Sequence, residues 1–275
     1  MKHLDLFAGI GGFSLGLERA GFETIAFCEI EKFPQKVLAK HWPDVPIAND
    51  VTKLTYKNGV LYDDGNEIYR GPIDSFSGGF PCQDISVAGK QAGIGEGTRS
   101  GLWSECARLL GEIRPDYAIF ENVTALLSGD SGRWFQRVLW DISQVGYDAE
   151  WISIRASDVG AEHARDRVWI ICYSDKDSKS ILPINDETQV MQVDDSNSDK
   201  AQFKRGCICE RIQQEYTNSS HPRWGKDKPG VDRMANGIPS QMDRLKGLGN
   251  AVVPQIPELI GRAIMSYNHN YEDVK

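Results

Sequence analysis

The amino-acid sequence predicts an α/β fold in which helices cover both faces of a mostly parallel sheet. Short apolar runs alternate with helix-like, amphipathic segments as far as Tyr173, and glycines or acidic residues follow several of the runs directly. The strand-like runs are HLDLF, ETIAF, VPIA, PIDSF, DYAIF, EWISI and RVWIIC. The helix-like segments between them are GGFSLGLERAG, KFPQKVLAKHW, SECARLLGEI and WFQRVLWDISQVG. This alternation is typical of a three-layer domain.

The periodic pattern divides the chain into three parts. An α/β domain is predicted for 1–173, and a short, polar, turn-rich segment for 174–232. Residues 233–275 then restore helical spacing, and their helix is predicted to dock on the first domain. The residues on its apolar face are Ile256, Leu259, Ile260, Ala263 and Ile264.

Composition excludes some classes of protein. In 275 residues no apolar run is long enough to span a membrane, and six cysteines are too sparse for a disulfide scaffold. We therefore expect a cytoplasmic protein with reduced thiols. The net charge of −8 argues against a surface that coats phosphate backbones everywhere. Lys and Arg nevertheless outnumber Asp and Glu between residues 200 and 233, and this stretch could face nucleic acid or only solvent.

The ends of the predicted strands carry residues suited to an adenosine-containing ligand. In open parallel sheets the ligand site lies beyond the carboxyl ends of the strands. The glycines of AGIGG, after the first strand, let the backbone approach a ligand, but Ser14 stands where a GxGxxG nicotinamide loop needs glycine. Glu29 is placed to bind a ribose diol, and Asp50 to accept from an adenine amine. Alternatively, the glycines form only a tight turn and the acids are solvated.

A candidate nucleophile follows the fourth strand. Cys82 comes after a Gly-Gly-Phe-Pro turn, and Glu121, beyond the next strand, can share its cleft. A thiolate needs a nearby cation or helix N-terminus to lower its pKa, and Arg165 and Arg167 are candidates for that cation. The alternatives are an inert core thiol and arginines in surface salt bridges.

Five blocks of this sequence resemble, in order, the conserved blocks of the DNA (cytosine-5)-methyltransferases of the compact bacterial or phage type. They are DLFAGIGGFSLGLERAGF, GGFPCQDISVAGKQAG, ENV, HARDRV and GLGNAVVPQ. The resemblance runs from Leu4 to about Ile264 and leaves out the polar segment. It implies a Rossmann-like fold that uses S-adenosylmethionine, with 174–232 as a small, irregular target-recognition segment. His163 departs from the family pattern, which usually has Gln at this position.

The resemblance also implies a catalytic mechanism. Cys82 would add to C6 of a cytosine that is flipped out of the duplex. Glu121 would hold a proton toward N3 of the base, and Arg165 would bind its O2 atom. C5 would then take the methyl group, and 5-methylcytosine would be released.

The expected binding residues fall into two groups, and no metal site is expected. Those expected at the cofactor are Phe7, Gly9, Gly11, Gly12, Glu29, Ile30, Asp50, Val51, Gly79, Pro81, Leu102, Asn250 and Val252. Those expected at DNA are Ser86, Lys90, Arg99, Arg167, Arg223 and Trp224. The glycine-rich stretch after Cys82 would close over the flipped cytosine, although it could also be an ordinary surface loop.

The expected partner is double-stranded DNA, with a monomeric enzyme and a possible cognate restriction endonuclease. Two other readings stay open. The same active site could methylate cytosine in RNA, or the chain could be an inactive relic that binds nucleic acid or cofactor without turnover. Comparing duplex DNA with tRNA as methyl acceptor separates the first of these from DNA methylation.

Overall fold

The computed structural model describes residues 1–81, 99–174, 208–218 and 247–272, and its centre is a seven-stranded sheet. Its strands are β1 (Lys2–Leu6), β2 (Glu23–Cys28), β3 (Ile47–Ala48), β7 (Ser75–Gly78), β8 (Tyr117–Val123), β9 (Asp148–Arg155) and β10 (Asp166–Tyr173). Their order is β3-β2-β1-β7-β8-β10-β9, and β10 alone runs opposite to the other six strands. The mostly parallel sheet predicted from the sequence is confirmed.

Helices cover both faces of this sheet, as predicted. They are α1 (Gly12–Arg19), α2 (Lys32–His41), α3 (Trp103–Ile113), α4 (Ala125–Ser128), α5 (Arg133–Gln144), α6 (Ile208–Asn218) and the C-terminal helix (Gln255–Glu272). One core cluster contains the apolar faces of α3 and α5, and a second contains those of α1, α6 and the C-terminal helix. Strands covered on both faces need apolar side chains throughout, which explains the continuous runs in the sequence.

The C-terminal helix docks against α1 through its apolar face. Ile260, Ala263 and Ile264 are completely buried, and they share a core cluster with Phe13 and Leu17 of α1. None of the helices in the described residues combines the length and apolar character that crossing a bilayer requires.

Part of the polar segment 174–232 also belongs to the core. Ile208 and Ile212 of α6 are buried in the cluster that holds α1 and the C-terminal helix. At the start of α6, the Glu150 carboxylate of β9 accepts a hydrogen bond from the Cys209 N–H at 2.9 Å. Residues 208–218 therefore pack with the α/β domain.

A small antiparallel sheet, absent from the sequence prediction, lies between β3 and β7. Its strands are β4 (Leu54–Lys57), β5 (Val60–Asp63) and β6 (Asn66–Arg70). The turns between them are Asn58-Gly59 and Asp64-Gly65, and all four residues have positive φ. Both dipeptides are strong hairpin signals, so the sequence contained the information needed to predict this sheet.

Candidate active site

The glycine-rich loop after β1 turns sharply into α1. Phe7, Gly9 and Gly11 have φ values of 53°, 55° and 87°, in the left-handed region that glycine adopts without strain. The Ala8 N–H donates to the Cys28 carbonyl at 3.1 Å and fixes the loop to the end of β2. A Cβ added at Gly9 would meet no atom within 4 Å. The rim of the loop is therefore open to a ligand.

Glu29 holds this loop in place. Its side chain is 7% exposed, and its two carboxylate oxygens accept hydrogen bonds from the N–H groups of Gly9 and Glu31, each at 2.7 Å. Each carboxylate oxygen has more than one acceptor site, so these bonds leave capacity for a ligand hydroxyl. Glu29 thus lies at the end of β2 with its carboxylate at the loop, where a ribose was predicted.

The residues predicted for the adenine lie nearby, at the ends of β2 and β3. Ile30 is 66% exposed, the highest value among the large hydrophobic residues of the described chain. Val51 is buried, and Asp50 uses Oδ1 to accept from the N–H and hydroxyl of Thr52 at 3.0 and 2.9 Å. An exposed aliphatic side chain beside a fixed carboxylate offers the surface that a flat heterocycle needs.

The chain after β7 leads toward Cys82 along the side of Glu121. A Cβ added at Gly79 would lie 3.3 Å from Glu121 Oε2. Phe80 is buried against Trp103, with ring centroids 5.1 Å apart, and its carbonyl accepts from Asn122 Nδ2 at 3.2 Å. Pro81 is the last described residue before the gap in the described chain.

Glu121 is a buried carboxyl paired with Arg167. Arg167 Nε lies 2.8 Å from Glu121 Oε1. The pair forms because β10 runs beside β8 with Trp169 opposite Glu121, which makes Arg167 the diagonal neighbour on the same face. Burial raises the pKa of Glu121, and the positive charges of Arg167 and Arg165 oppose that shift. A carboxyl that holds a proton more tightly than usual is suited to acid–base work.

Arg165 does not make the corresponding contact. It precedes β10 with a φ of 20°, and its guanidinium donates to the carbonyls of Gly249 and Asn250 at 2.5 and 3.2 Å. Of the two arginines in HARDRV, the one predicted at the base therefore contacts the C-terminal part of the chain. The one predicted at DNA, Arg167, contacts Glu121.

The C-terminal segment returns to the glycine-rich loop. A Cβ added at Gly12 would lie 2.5 Å from the Val252 carbonyl oxygen, so only glycine permits this approach. Gly247 comes close to the side chains of Ile10 and Phe33. Val252 thus lies beside the loop, while contact of Asn250 and Val252 with a cofactor stays a prediction.

Several predicted site residues lie outside the described part of the chain. They are Cys82, Ser86, Lys90, Arg223 and Trp224. Arg99 begins a short 3-10 turn, Arg99–Leu102, but its side chain is also outside the description. Leu102 is half-buried against the main core cluster. Within the described ranges, no three His, Cys, Asp or Glu side chains come together in a way that could hold a metal ion.

A buried polar chain below the loop was missed. Asp5 Oδ2 accepts from the N–H and hydroxyl of Ser14 at 3.3 and 2.8 Å, and Oδ1 accepts from the Ser77 hydroxyl at 3.1 Å. Ser77 in turn lies 3.0 Å from His3 Nε2. The signal was a charged residue inside an apolar strand, followed by serine in the first turn of the next helix.

Comparison with known proteins places the chain in a family. The profile of the C-5 cytosine-specific DNA methylases matches residues 1–237. The type II methyltransferase M.DsaV of Dactylococcopsis salina is 31% identical over 66% of this chain and 48% of its own length. M2.BsuMI of Bacillus subtilis (strain 168) is 32% identical over 69% of this chain and 46% of its own.

A crystal structure described as a DNA modification methyltransferase encoded within an E. coli prophage superposes with a TM-score of 0.50 and 28% identity. The match covers 63% of this chain and 47% of that one. The chain spans about half the length of the curated relatives named above. Because the family profile covers most of the sequence, the chain belongs to the C-5 cytosine-specific DNA methylase family.

Proposed function

We propose that this protein transfers the methyl group of S-adenosylmethionine to C5 of a cytosine in double-stranded DNA. The observation that carries the proposal is the position of Gly79 against the buried Glu121–Arg167 pair, three residues before Cys82. The backbone at Gly79, which leads to Cys82, therefore lies beside Glu121, a carboxyl whose pKa is raised. Family membership supports the same reaction.

The residues at the sheet edge fit S-adenosylmethionine. The open rim at Gly9 can admit the methionine end, the fixed carboxylate of Glu29 can accept from a ribose diol, and exposed Ile30 can pack on adenine. When bound, S-adenosylmethionine supplies an electrophilic methyl group. Asn250 and Val252 would close the same pocket from the C-terminal side.

The chemistry proposed for the chain begins at Cys82. C5 of cytosine is a weak nucleophile, so its electron density must first rise. The Cys82 thiolate forms a bond to C6 while Glu121 holds a proton toward N3 and offsets the developing charge. After C5 has gained the methyl group, with S-adenosylhomocysteine as the leaving group, C5 loses its proton, and elimination of the thiolate restores the double bond between C5 and C6.

Arg167 has a positioning role in this scheme. Its bond to Oε1 fixes the orientation of Glu121, and its charge limits how far burial raises the pKa of that carboxyl. The target base cannot reach these groups from inside a duplex, so it must be flipped out. Action as a monomer and the presence of a cognate restriction endonuclease stay predictions.

The test is methylation sequencing of DNA from a methylation-free host that expresses the chain. Cytosines modified within one short sequence motif are expected, and Cys82→Ala must abolish them. Unmodified DNA in the presence of folded, cofactor-binding protein would contradict the proposal. Transfer to tRNA by the purified protein would then identify RNA as the acceptor, and cofactor binding without any transfer would identify an inactive relic.

A further inference from the structure

The single helical turn at 247–250 and the residues after it lie across the glycine-rich loop and α1. Gly247 approaches Ile10, and the carbonyl of Val252 lies where a Cβ at Gly12 would be. One helical turn later, the Pro254 carbonyl oxygen would lie 2.1 Å from a Cβ at Gly16. This segment therefore forms one wall of the pocket proposed for the cofactor.

The side chains of the turn contribute little packing of their own. Residues 248–250 are exposed, and Leu248 has 57% of its surface in contact with solvent. An exposed leucine at a turn gives little hydrophobic stabilisation. Polar contacts can therefore add to the packing that positions this segment.

Arg165, directly before β10, supplies two such contacts. Its Nη1 and Nη2 atoms donate to the consecutive carbonyls of Gly249 and Asn250. A guanidinium is planar and holds its N–H donors in a fixed arrangement, so it can bridge two acceptors. An ammonium group is a compact point charge and cannot bridge them in this way. Hydrogen bonds with one charged partner are also stronger than neutral ones.

We propose that Arg165 is a positioning residue that latches the 247–250 turn against the cofactor-binding loop and thereby strengthens cofactor binding before DNA arrives. The proposal rests on the proposed function, since the ligand is S-adenosylmethionine. Arg165 also links the catalytic carboxyl to the cofactor-binding segment. Its positive charge acts on Glu121, and its guanidinium donates to the carbonyls of the 247–250 turn.

The latch has a measurable consequence for affinity. A ligand that needs the turn closed binds with an apparent Kd equal to the intrinsic Kd divided by the closed fraction. Without the two bonds the closed fraction falls, so the cofactor binds more weakly even when DNA is absent. A tenfold loss corresponds to ~1.4 kcal/mol.

The experiment measures binding of S-adenosylhomocysteine, the demethylated cofactor, to the DNA-free protein by calorimetry. Arg165→Ala is expected to raise Kd about tenfold or more, and Arg165→Lys should raise it by several-fold, because a lysine cannot bridge both carbonyls. Arg262→Ala is the matched control, since Arg262 pairs with Glu258 within the exposed surface of the C-terminal helix. Its Kd should equal that of the unaltered protein.

Hydrogen exchange gives a second readout that needs no ligand. Amides of residues 247–254 should exchange faster in Arg165→Ala, while those of β8 should not change. Wild-type Kd values in both Arg165 variants would refute the proposed role of Arg165. If the alanine variant does not fold, a wild-type Kd in the lysine variant is sufficient to refute it. Failure of the unaltered protein to bind the probe would instead refute the proposed function, and the latch with it.

Discussion

Replacing Asp5 with Asn should remove a pH dependence of stability that this buried carboxyl creates. Asp5 is completely buried, and burial raises its pKa from 3.8 to about 7 despite the opposing hydrogen bonds from Ser14 and Ser77. Asn has almost the same shape, is neutral at every pH, and can accept from Ser14 while donating to Ser77. It therefore resembles the protonated form of Asp5.

The sign and size of the effect follow from linkage. Between pH 3.8 and 7 the unfolded chain releases the Asp5 proton while the folded protein retains it, so the folded state loses stability as pH rises. Each pKa unit is worth about 1.4 kcal/mol, which gives ~4 kcal/mol over this window. His3 titrates in the opposite sense. Burial lowers its pKa from 6.5 to about 3, so the stability it contributes is present above pH 6.5 and is lost as pH falls.

The assay is urea unfolding at a series of pH values for the unaltered protein and Asp5→Asn. The free energy of unfolding of the variant, relative to wild type, should increase by a few kcal/mol from pH 4.5 to pH 7 and level off above it. The contribution of His3, common to both proteins, cancels in this difference. Asp64→Asn, in the exposed turn between β5 and β6, reports the effect of removing a surface carboxylate. A variant that is less stable by the same amount at every pH would show that Asp5 is ionised throughout, and would refute the reasoning.

Two further substitutions test the site. Glu121→Gln should slow methyl transfer by ~10²–10⁴-fold, the usual contribution of a general acid–base group, because Arg167 loses its charged partner and an amide cannot transfer a proton to N3. Single-turnover transfer of a labelled methyl group measures this, and rates within threefold of wild type would remove Glu121 from the mechanism. Gly12→Ala should weaken cofactor binding at least tenfold, since its Cβ would lie 2.5 Å from the Val252 carbonyl and displace the C-terminal segment. Gly249→Ala, where a Cβ meets no atom within 4 Å, is the steric control, and equal affinities in calorimetry for the two variants would contradict the explanation.

The central sheet could be predicted because its strands are buried on both faces. Apolar runs such as that of β8, which is buried from Tyr117 to Asn122, are strong local signals. The small sheet was missed although Asn58-Gly59 and Asp64-Gly65 mark its turns, because its strands are short and partly exposed. The position of α6 depends on tertiary contacts of Ile208 and Ile212 inside a polar stretch, which no local pattern shows.

The sequence could not show which of the two arginines contacts Glu121. In a strand, residues two apart point to the same face, so Arg165 and Arg167 look equivalent in the sequence. The strand begins at Asp166, however, and the positive φ of Arg165 directs its side chain differently. Which arginine contacts Glu121 thus depends on the register of β10 against β8 and on where β10 begins, and residue types specify neither.

The contact between Gly12 and Val252 also has a consequence for synthesis of the protein. Ribosomes make the glycine-rich loop long before the segment that walls the pocket, so the proposed cofactor site is incomplete until that segment has been made. During that time Phe13 and Leu17 of α1 lack the cover that Ile260 and Ile264 later provide. The nascent chain therefore exposes an apolar helix face until the helix Gln255–Glu272 emerges, and chaperones that bind apolar segments should recognise α1 in chains stalled before residue 247.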